Sequence, residues 1–236
     1  MSENILDKII RKKIEKIDIL KKSISIDFLK NKINENKSFI NFKEKIENNI
    51  NNNKISIIAE IKKASPSAGV IIENYNPVNI SEIYNNNNAT CLSVLTEEDF
   101  FLGNLIHISK IKQKVNLPIL CKDFFIDKFQ VPLAKSYGAD AILIILTAVN
   151  EKLADELYEN ALKLNMSVIV EVHTKDEAKK SIKFENAIIG INNRNLKTLE
   201  TDINTTYDIH DILTAHKGPL ISESGIKTKE HILEIT

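Results

Sequence analysis

Seven short apolar runs, none alternating with polar residues, recur along most of this chain with longer amphipathic segments between them. The runs occupy residues 55–61, 90–95, 118–121, 141–146, 167–172, 187–191 and 220–222. A strand with one wet face alternates apolar and polar residues, whereas a run that is apolar throughout is covered on both faces. The intervening segments, at 78–85, 104–114, 128–137, 151–164, 175–182, 204–216 and from 228 to the end, carry apolar residues at helical spacing. Strict alternation of such units predicts a parallel sheet wrapped by helices, either a (β/α) barrel or a doubly wound sheet. Residues 4–49 read as helical, on Ile5, Leu6, Ile9, Ile10, Ile14, Ile17, Phe39, Phe42 and Ile46. The chain thus divides into a helical extension over 1–50 and a barrel over 51–236, acting together as one domain.

The ends of the strands separate the two sheet types. Run one carries Glu60 and Lys62; run two leads to Thr96-Glu97-Glu98; run three to Lys122-Asp123; run four to Thr147. Run five holds Glu171 and His173, run six leads to Asn192-Asn193-Arg194, and run seven to Ser222-Glu223-Ser224-Gly225. A doubly wound sheet gathers its site at one switch point, while a barrel gathers it from the carboxyl ends of many strands. No Gly-rich loop follows the first run, which weighs against a dinucleotide fold. The barrel is the expected architecture.

Net charge is zero, so no polyanionic partner such as a nucleic acid is indicated. No apolar run approaches the roughly 20 residues of a membrane helix, and the amino terminus has no signal core. Cys91 and Cys121 lack metal or redox spacing, which suits reduced thiols in a cytoplasmic protein. The Asn-rich tracts near 48–54 and 84–90 read as exposed turns, since Asn tolerates turn and left-handed backbone.

The chemistry concentrates in "IIAEIKKASPSAGV" at 57–70. Residues two apart on a strand share a face, so Glu60 and Lys62 point together into the expected barrel mouth. A structural ion pair is the plain reading. General acid–base chemistry is the sharper one, because Lys122, Glu171, Arg194 and Glu223 crowd the same rim, and buried charge costs folding energy unless a site requires it. Arg194 and Lys62, with Ser224 and Gly225 ahead of a helix, form an anion-binding set. His173 reads as a supporting residue more than a catalytic one, and His107, His210, His216 and His231 as surface residues of helices. Phe100, Phe101, Phe124 and Phe125 either line an aromatic pocket or pack loop on barrel.

The stretch "IIAEIKKASPSAG" resembles the signature of the indole-3-glycerol phosphate synthase family, and "CLSVLTEEDFFLGN", "LPILCKDFFIDKFQ", "GADAILIILTAV", "VIVEVH", "IIGINNRNLKT" and "ISESGI" follow in the family's order. The resemblance covers the chain from about Ile5 onward. It implies a TIM (β/α)8-type barrel with an extra N-terminal helical segment. The implied reaction closes the indole ring of 1-(2-carboxyphenylamino)-1-deoxyribulose 5-phosphate, with loss of CO2 and water, in tryptophan biosynthesis. No metal and no organic cofactor is implied, and association with other tryptophan-pathway enzymes is left open. By the same resemblance Lys122 is the general acid, Lys62 assists dehydration, and Glu60 and Glu171 move protons. Ser65, Asn192, Arg194 and Glu223 orient substrate, Ser224 and Gly225 hold phosphate, and Phe124 and Leu196 form the apolar pocket.

One departure is noted. The family carries an eighth strand with a Gly-Ser phosphate loop, whereas seven βα units are visible here, so a chain of this extent is expected to be poorly stable and to bind substrate weakly. Two other readings stand beside ring closure: a barrel that binds phosphate compounds without turnover, and an aldolase forming a Schiff base through Lys122.

Overall fold

The computed structural model describes residues 4–35, 39–196 and 198–235. Seven parallel strands form one curled sheet: β1 (Ile58–Ile61), β4 (Cys91–Leu95), β5 (Ile119–Lys122), β6 (Ala141–Ile145), β7 (Ser167–Val172), β8 (Ile188–Asn192) and β9 (Leu220–Glu223), hydrogen-bonded in that order. Each lies within or beside a run expected from the sequence. Every residue of β4, β6, β7 and β8 is buried, as their unbroken apolar character requires. A short 3-10 turn over Leu146–Ala148 and a small antiparallel pair, β2 (Ala64–Ser65) with β3 (Gly69–Val70), are absent from the sequence reading. The Ser-Pro-Ser turn expected there closes this hairpin.

The helices between strands are α4 (Pro77–Asn86), α5 (Ile106–Lys112), α6 (Gln130–Ser136), α7 (Glu151–Lys163), α8 (Lys175–Ser181), α9 (Asn204–Leu213) and α10 (Lys229–Ile235). Their starts are written in the sequence. Asn76, Asn150 and Thr174 each accept a backbone N–H of the first helical turn, which satisfies a donor the helix itself cannot. The Asn tracts behave as expected: Asn53 and Asn88 sit at φ 53° and 63°, in the left-handed region just past helix ends.

The amino-terminal region departs from the reading of one continuous helical stretch. It forms α1 (Ile5–Ser23), α2 (Ile26–Glu35) and α3 (Phe42–Asn51). The breaks have local causes. The Ser25 hydroxyl accepts the N–H of Phe28 and so starts α2, and the Asn41 side chain accepts the N–H of Glu44 and starts α3. Part of the stretch, 36–38, lies outside the described residues.

The core has two main layers. Outside the sheet, residues such as Val94, Ile119, Ile144, Val170 and Ile191 pack against helical Ile108, Leu157, Ala178 and Leu213. Inside it, Leu120, Leu143, Ile169 and Ile188 form a second cluster that also contains Leu6 and Ile9 of α1 and Phe42 and Ile46 of α3. The start of α3 is tied to the amino ends of strands: Ile40 N–H donates to Asp140 Oδ1 (2.9 Å) and Lys43 N–H to Ser167 Oγ (3.1 Å). Phe42, fully buried, thus belongs to the apolar floor under the sheet. No helix among the described residues is long and apolar enough to cross a membrane.

Candidate active site

At the carboxyl end of β5, the Lys122 ammonium lies 3.0 Å from Glu171 Oε2 and 2.6 Å from Glu223 Oε2. Strands β5, β7 and β9 therefore deliver one cation and two carboxylates to a single point. Burial alone would pull Lys122 down, but the fields of Glu171, Glu223 and Glu60 outweigh it and raise its proton affinity above the ordinary lysine value. The two carboxylates are driven apart. For Glu171, burial pushes the proton affinity up, but Lys122 and His173 override it and hold the group well below the usual carboxylate range. For Glu223, burial and the neighbouring Glu171 prevail over Lys122 and push it up. One acid that stays ionised beside one that keeps its proton more readily is the arrangement acid–base catalysis uses.

Gly190 of β8 makes this geometry available. A Cβ built there would lie 2.3 Å from Glu223 Oε1. Only a residue without a side chain lets the Glu223 carboxylate cross β8 towards Lys122. A lone Gly inside "IIGIN" is the sequence signal for such an approach, and the sequence reading passes over it.

Glu60 and Lys62 pair with each other at 2.5 Å and stay partly open to solvent. The charge set thus comprises Lys122, Glu171 and Glu223 in contact, with Glu60 and Lys62 as an adjoining pair. Asn192 ends β8 and its Oδ1 accepts from the Arg194 N–H (2.9 Å) and from the Ser224 hydroxyl (2.9 Å). Arg194 Nε donates to Thr201 Oγ1 (3.2 Å), which turns the guanidinium along the β8–α9 loop. Ser224 and Gly225 both have positive φ, 70° and 77°, in the tight turn after β9. Ser65 is buried in the hairpin turn, its hydroxyl accepting the Ala68 N–H, and does not reach the Lys122 cluster.

The four phenylalanines divide. Phe124, Phe100 and Phe101, with Leu196, belong to the inner cluster, and the rings of Phe101 and Phe124 stand 6.3 Å apart. Phe125 packs instead into the outer layer between sheet and helices, so it is not a pocket residue. Two histidines also differ from the surface positions expected of them. His216 is buried, its Nε2 3.0 Å from the Ala187 carbonyl, and the ring of His107 stacks obliquely on Tyr75 at 5.6 Å.

The sequence reading names Glu97 and Asp123 among the polar strand ends but misses Lys13 and the way these residues brace the site from behind. Glu97, buried at the end of β4, accepts the N–H groups of Asp99, Phe100 and Phe101. Lys13 of α1 reaches Asp123, the neighbour of Lys122, at 2.7 Å, both side chains 8% exposed. Its signal is legible in retrospect. Leu6, Ile9, Lys13 and Ile17 are the buried positions of α1, so one lysine stands on an otherwise apolar stripe. A separate cleft of about 340 Å3 lies between α7 and α8 and shares only Glu177 with the surroundings of the site; its Lys180 and Lys183 pair with Glu151 and Asp155.

The comparisons agree with this architecture. The model of the family described as indole-3-glycerol phosphate synthase matches residues 6–236. An indole-3-glycerol phosphate synthase of Clostridium acetobutylicum is 46% identical over 231 residues, covering 97% of this chain and 86% of the relative. One from Aliarcobacter butzleri is 41% identical, with 97% and 86% covered. The tryptophan biosynthesis protein TrpCF of Buchnera aphidicola subsp. Schizaphis graminum is 43% identical over all of this chain but half of its own length. Among solved structures, a mutant tryptophan synthase alpha-subunit from Pyrococcus furiosus superposes with a TM-score of 0.58 at 13% identity, covering 76% of this chain and 82% of that one, which is a likeness of fold. With the family model spanning nearly its whole length and full-length relatives above 40% identity, this chain belongs to the indole-3-glycerol phosphate synthase family.

Proposed function

We propose that this chain closes the indole ring of 1-(2-carboxyphenylamino)-1-deoxyribulose 5-phosphate in tryptophan biosynthesis, with Lys122 as the general acid. The observation that carries the assignment is the Lys122 ammonium held between Glu171 and Glu223 at the carboxyl ends of three strands. The substrate's aromatic ring lies among Phe100, Phe101, Phe124 and Leu196. Its phosphate lies by Ser224, Gly225 and Lys62. Asn192, Arg194 and Ser65 orient the sugar chain.

The ring carbon bearing the carboxylate attacks the ketone carbon, and Lys122 gives its proton to the ketone oxygen as the carbon–carbon bond forms. The carboxylate then leaves as CO2, and its bonding electrons restore the aromatic ring. The new hydroxyl leaves as water with a second proton, with Lys62 assisting. Glu171 or Glu60 takes a proton from the carbon beside nitrogen, and the double bond forms. Two protons enter and one departs, so each turnover takes up one proton as the ionised carboxylate becomes neutral CO2. Throughout, Glu171 and Glu60 stabilise the cationic ring intermediate.

The upward direction of the Lys122 shift keeps the group as an ammonium, which weighs against a Schiff-base lysine, since that must lose its proton to attack a carbonyl. A cytoplasmic location is supported by two free buried cysteines and the lack of a membrane-length helix among the described residues. Association with another enzyme of the pathway is supported by the TrpCF relatives, in which the matching region is half of the protein. The deciding experiment follows indole fluorescence on purified chain and substrate. Wild type should turn over, and Lys122→Ala should be slower by at least about 100-fold. Equal rates would remove Lys122 from the mechanism, and a borohydride-trapped adduct on Lys122 would favour the aldolase.

A further inference from the structure

The charges behind Lys122 do not end at Glu171. Glu171 presents Oε2 to Lys122 at 3.0 Å and Oε1 to His173 Nε2 at 3.2 Å. The second contact is an ion pair without the alignment of a good hydrogen bond. On its other side, His173 Nδ1 is 3.5 Å from Glu177 Oε2 and 3.2 Å from the Thr147 hydroxyl oxygen. Thr147 gives its own proton to Glu177 Oε1 at 2.7 Å, so it is free to accept at Nδ1. Glu177 Oε2 also accepts the backbone N–H of His173 at 2.7 Å.

Both ring nitrogens of His173 therefore face oxygen acceptors. A neutral imidazole has one N–H and one lone pair, and one of its nitrogens would here oppose a carboxylate lone pair to lone pair. The doubly protonated ring suits both sides. The side chains of His173 and Glu171 are almost fully buried, while Glu177 lines the 340 Å3 cleft between α7 and α8, where solvent reaches it. On its inner side Glu171 faces Lys122 from β5, which also holds Glu223 from β9, and the field of Glu60 from β1 acts on both of those groups. Three carboxylates stand against the charges of Lys122 and of Lys62, which pairs with Glu60, and a second cation at Oε1 steadies the Glu171 carboxylate in its orientation.

Resting on the ring-closure reading, we propose that His173, held as an imidazolium by Glu177, is a positioning residue: it aims the Glu171 carboxylate through Oε2 at Lys122. His173 does not touch substrate and acts only through Glu171. Burial works against the charged ring, and Glu171 and Glu177 overcome it, raising His173 to about 9.

The test separates this from a packing role and from the identity of the reaction. Ring resonances of the five histidines are followed against pH by NMR in the full chain, with His173→Gln identifying the resonance. His173 should titrate near 9, and Glu177→Gln should move it down by at least about one unit. In His173→Gln the Glu171 carboxyl, read by carbon NMR, should titrate at least about one unit higher than in wild type. The rate profile follows from the aim of Glu171: the rate should decline as His173 loses its proton near pH 9, and this decline should move to lower pH in Glu177→Gln. A His173 titrating at the ordinary histidine value, or a rate profile in Glu177→Gln that keeps its shape while only its height changes, would overturn the proposal. If His173→Gln does not fold, the Glu177→Gln comparison decides alone. A wild-type chain that shows these titrations but forms no indole product would refute the ring-closure reading and leave the electrostatic pair standing.

Discussion

Lys13, on the first helix, places its ammonium 2.7 Å from Asp123, the residue next to Lys122, and both side chains are buried. Asp123 uses its other bonds locally, accepting from the Thr96 hydroxyl (2.7 Å) and from the Phe124 N–H (2.8 Å). Lys16, one turn further on, reaches Glu98 at 2.6 Å and Asp99 at 3.0 Å. The amino-terminal helix thus grips the loops after β4 and β5, which carry Phe100, Phe101, Lys122 and Phe124. Lys13→Met leaves Asp123 buried without its cation and should cost about 3 kcal/mol or more of stability. Urea unfolding checks this. Adding Asp123→Asn should recover part of the loss, and a double variant no better than the single would place the effect elsewhere.

Gly190→Ala should separate activity from stability. The nearest atom in the way is the tip of the Glu223 side chain, 2.3 Å from the new methyl, and a carboxylate tip can swing aside, while Ile169 Cγ2 at 3.2 Å needs to give by only a few tenths of an ångström. Swinging aside takes it from Lys122. Turnover should fall by at least about 10-fold, in line with losing a positioned acid–base partner, with the melting temperature within a few degrees of wild type. An unchanged rate would show that Glu223 reaches Lys122 by another route.

Glu97→Ala removes the acceptor of three backbone N–H groups at Asp99, Phe100 and Phe101. The loop that carries the aromatic wall loses its anchor. The Michaelis constant should rise several-fold while the maximal rate changes less. Limited proteolysis should cut the loop faster, and a loop as resistant as wild type would count against the anchor.

The pH dependence of stability follows from His173. Its folded value of about 9 lies above the ordinary 6.5, so the folded state binds the proton more tightly. The contribution is fully present below pH 6.5 and is lost as pH rises through 9, with a ceiling of about 3 kcal/mol. Glu171 runs the other way: its lowered value contributes above its ordinary 4.5 and is lost as pH falls. Melting temperatures should therefore fall between pH 6.5 and 9.5 more steeply in wild type than in His173→Gln. Parallel curves would mean that His173 carries no linkage.

Much of this was legible in residues alone. The seven apolar runs mark the strands because a doubly covered strand has no polar face to blur the pattern, and Glu60, Lys122, Glu171 and Glu223 stand out as charges at the ends of such runs. What was hidden has a common physical character. The breaks at Ser25 and Asn41 depend on single side-chain caps within a sequence whose helical periodicity continues across them. The fates of Phe124 and Phe125 differ because adjacent residues turn to opposite layers, which composition cannot reveal. Lys13 and Gly190 each violate a local rule, a charge on an apolar stripe and a glycine in a β-branched strand, for reasons that lie in distant segments.

The grip of Lys13 on Asp123 and of Lys21 on Asp127 joins residues more than 100 positions apart in the chain. The first helix leaves the ribosome long before the strand it must hold has been made. Closing so long a loop early brings little reward, so native docking of this helix belongs to a late stage of folding. Until then its apolar stripe of Leu6, Ile9 and Ile17 has no native surface to cover it. A helix made early is thereby docked late, and the site it braces becomes complete only when the molecule is nearly folded.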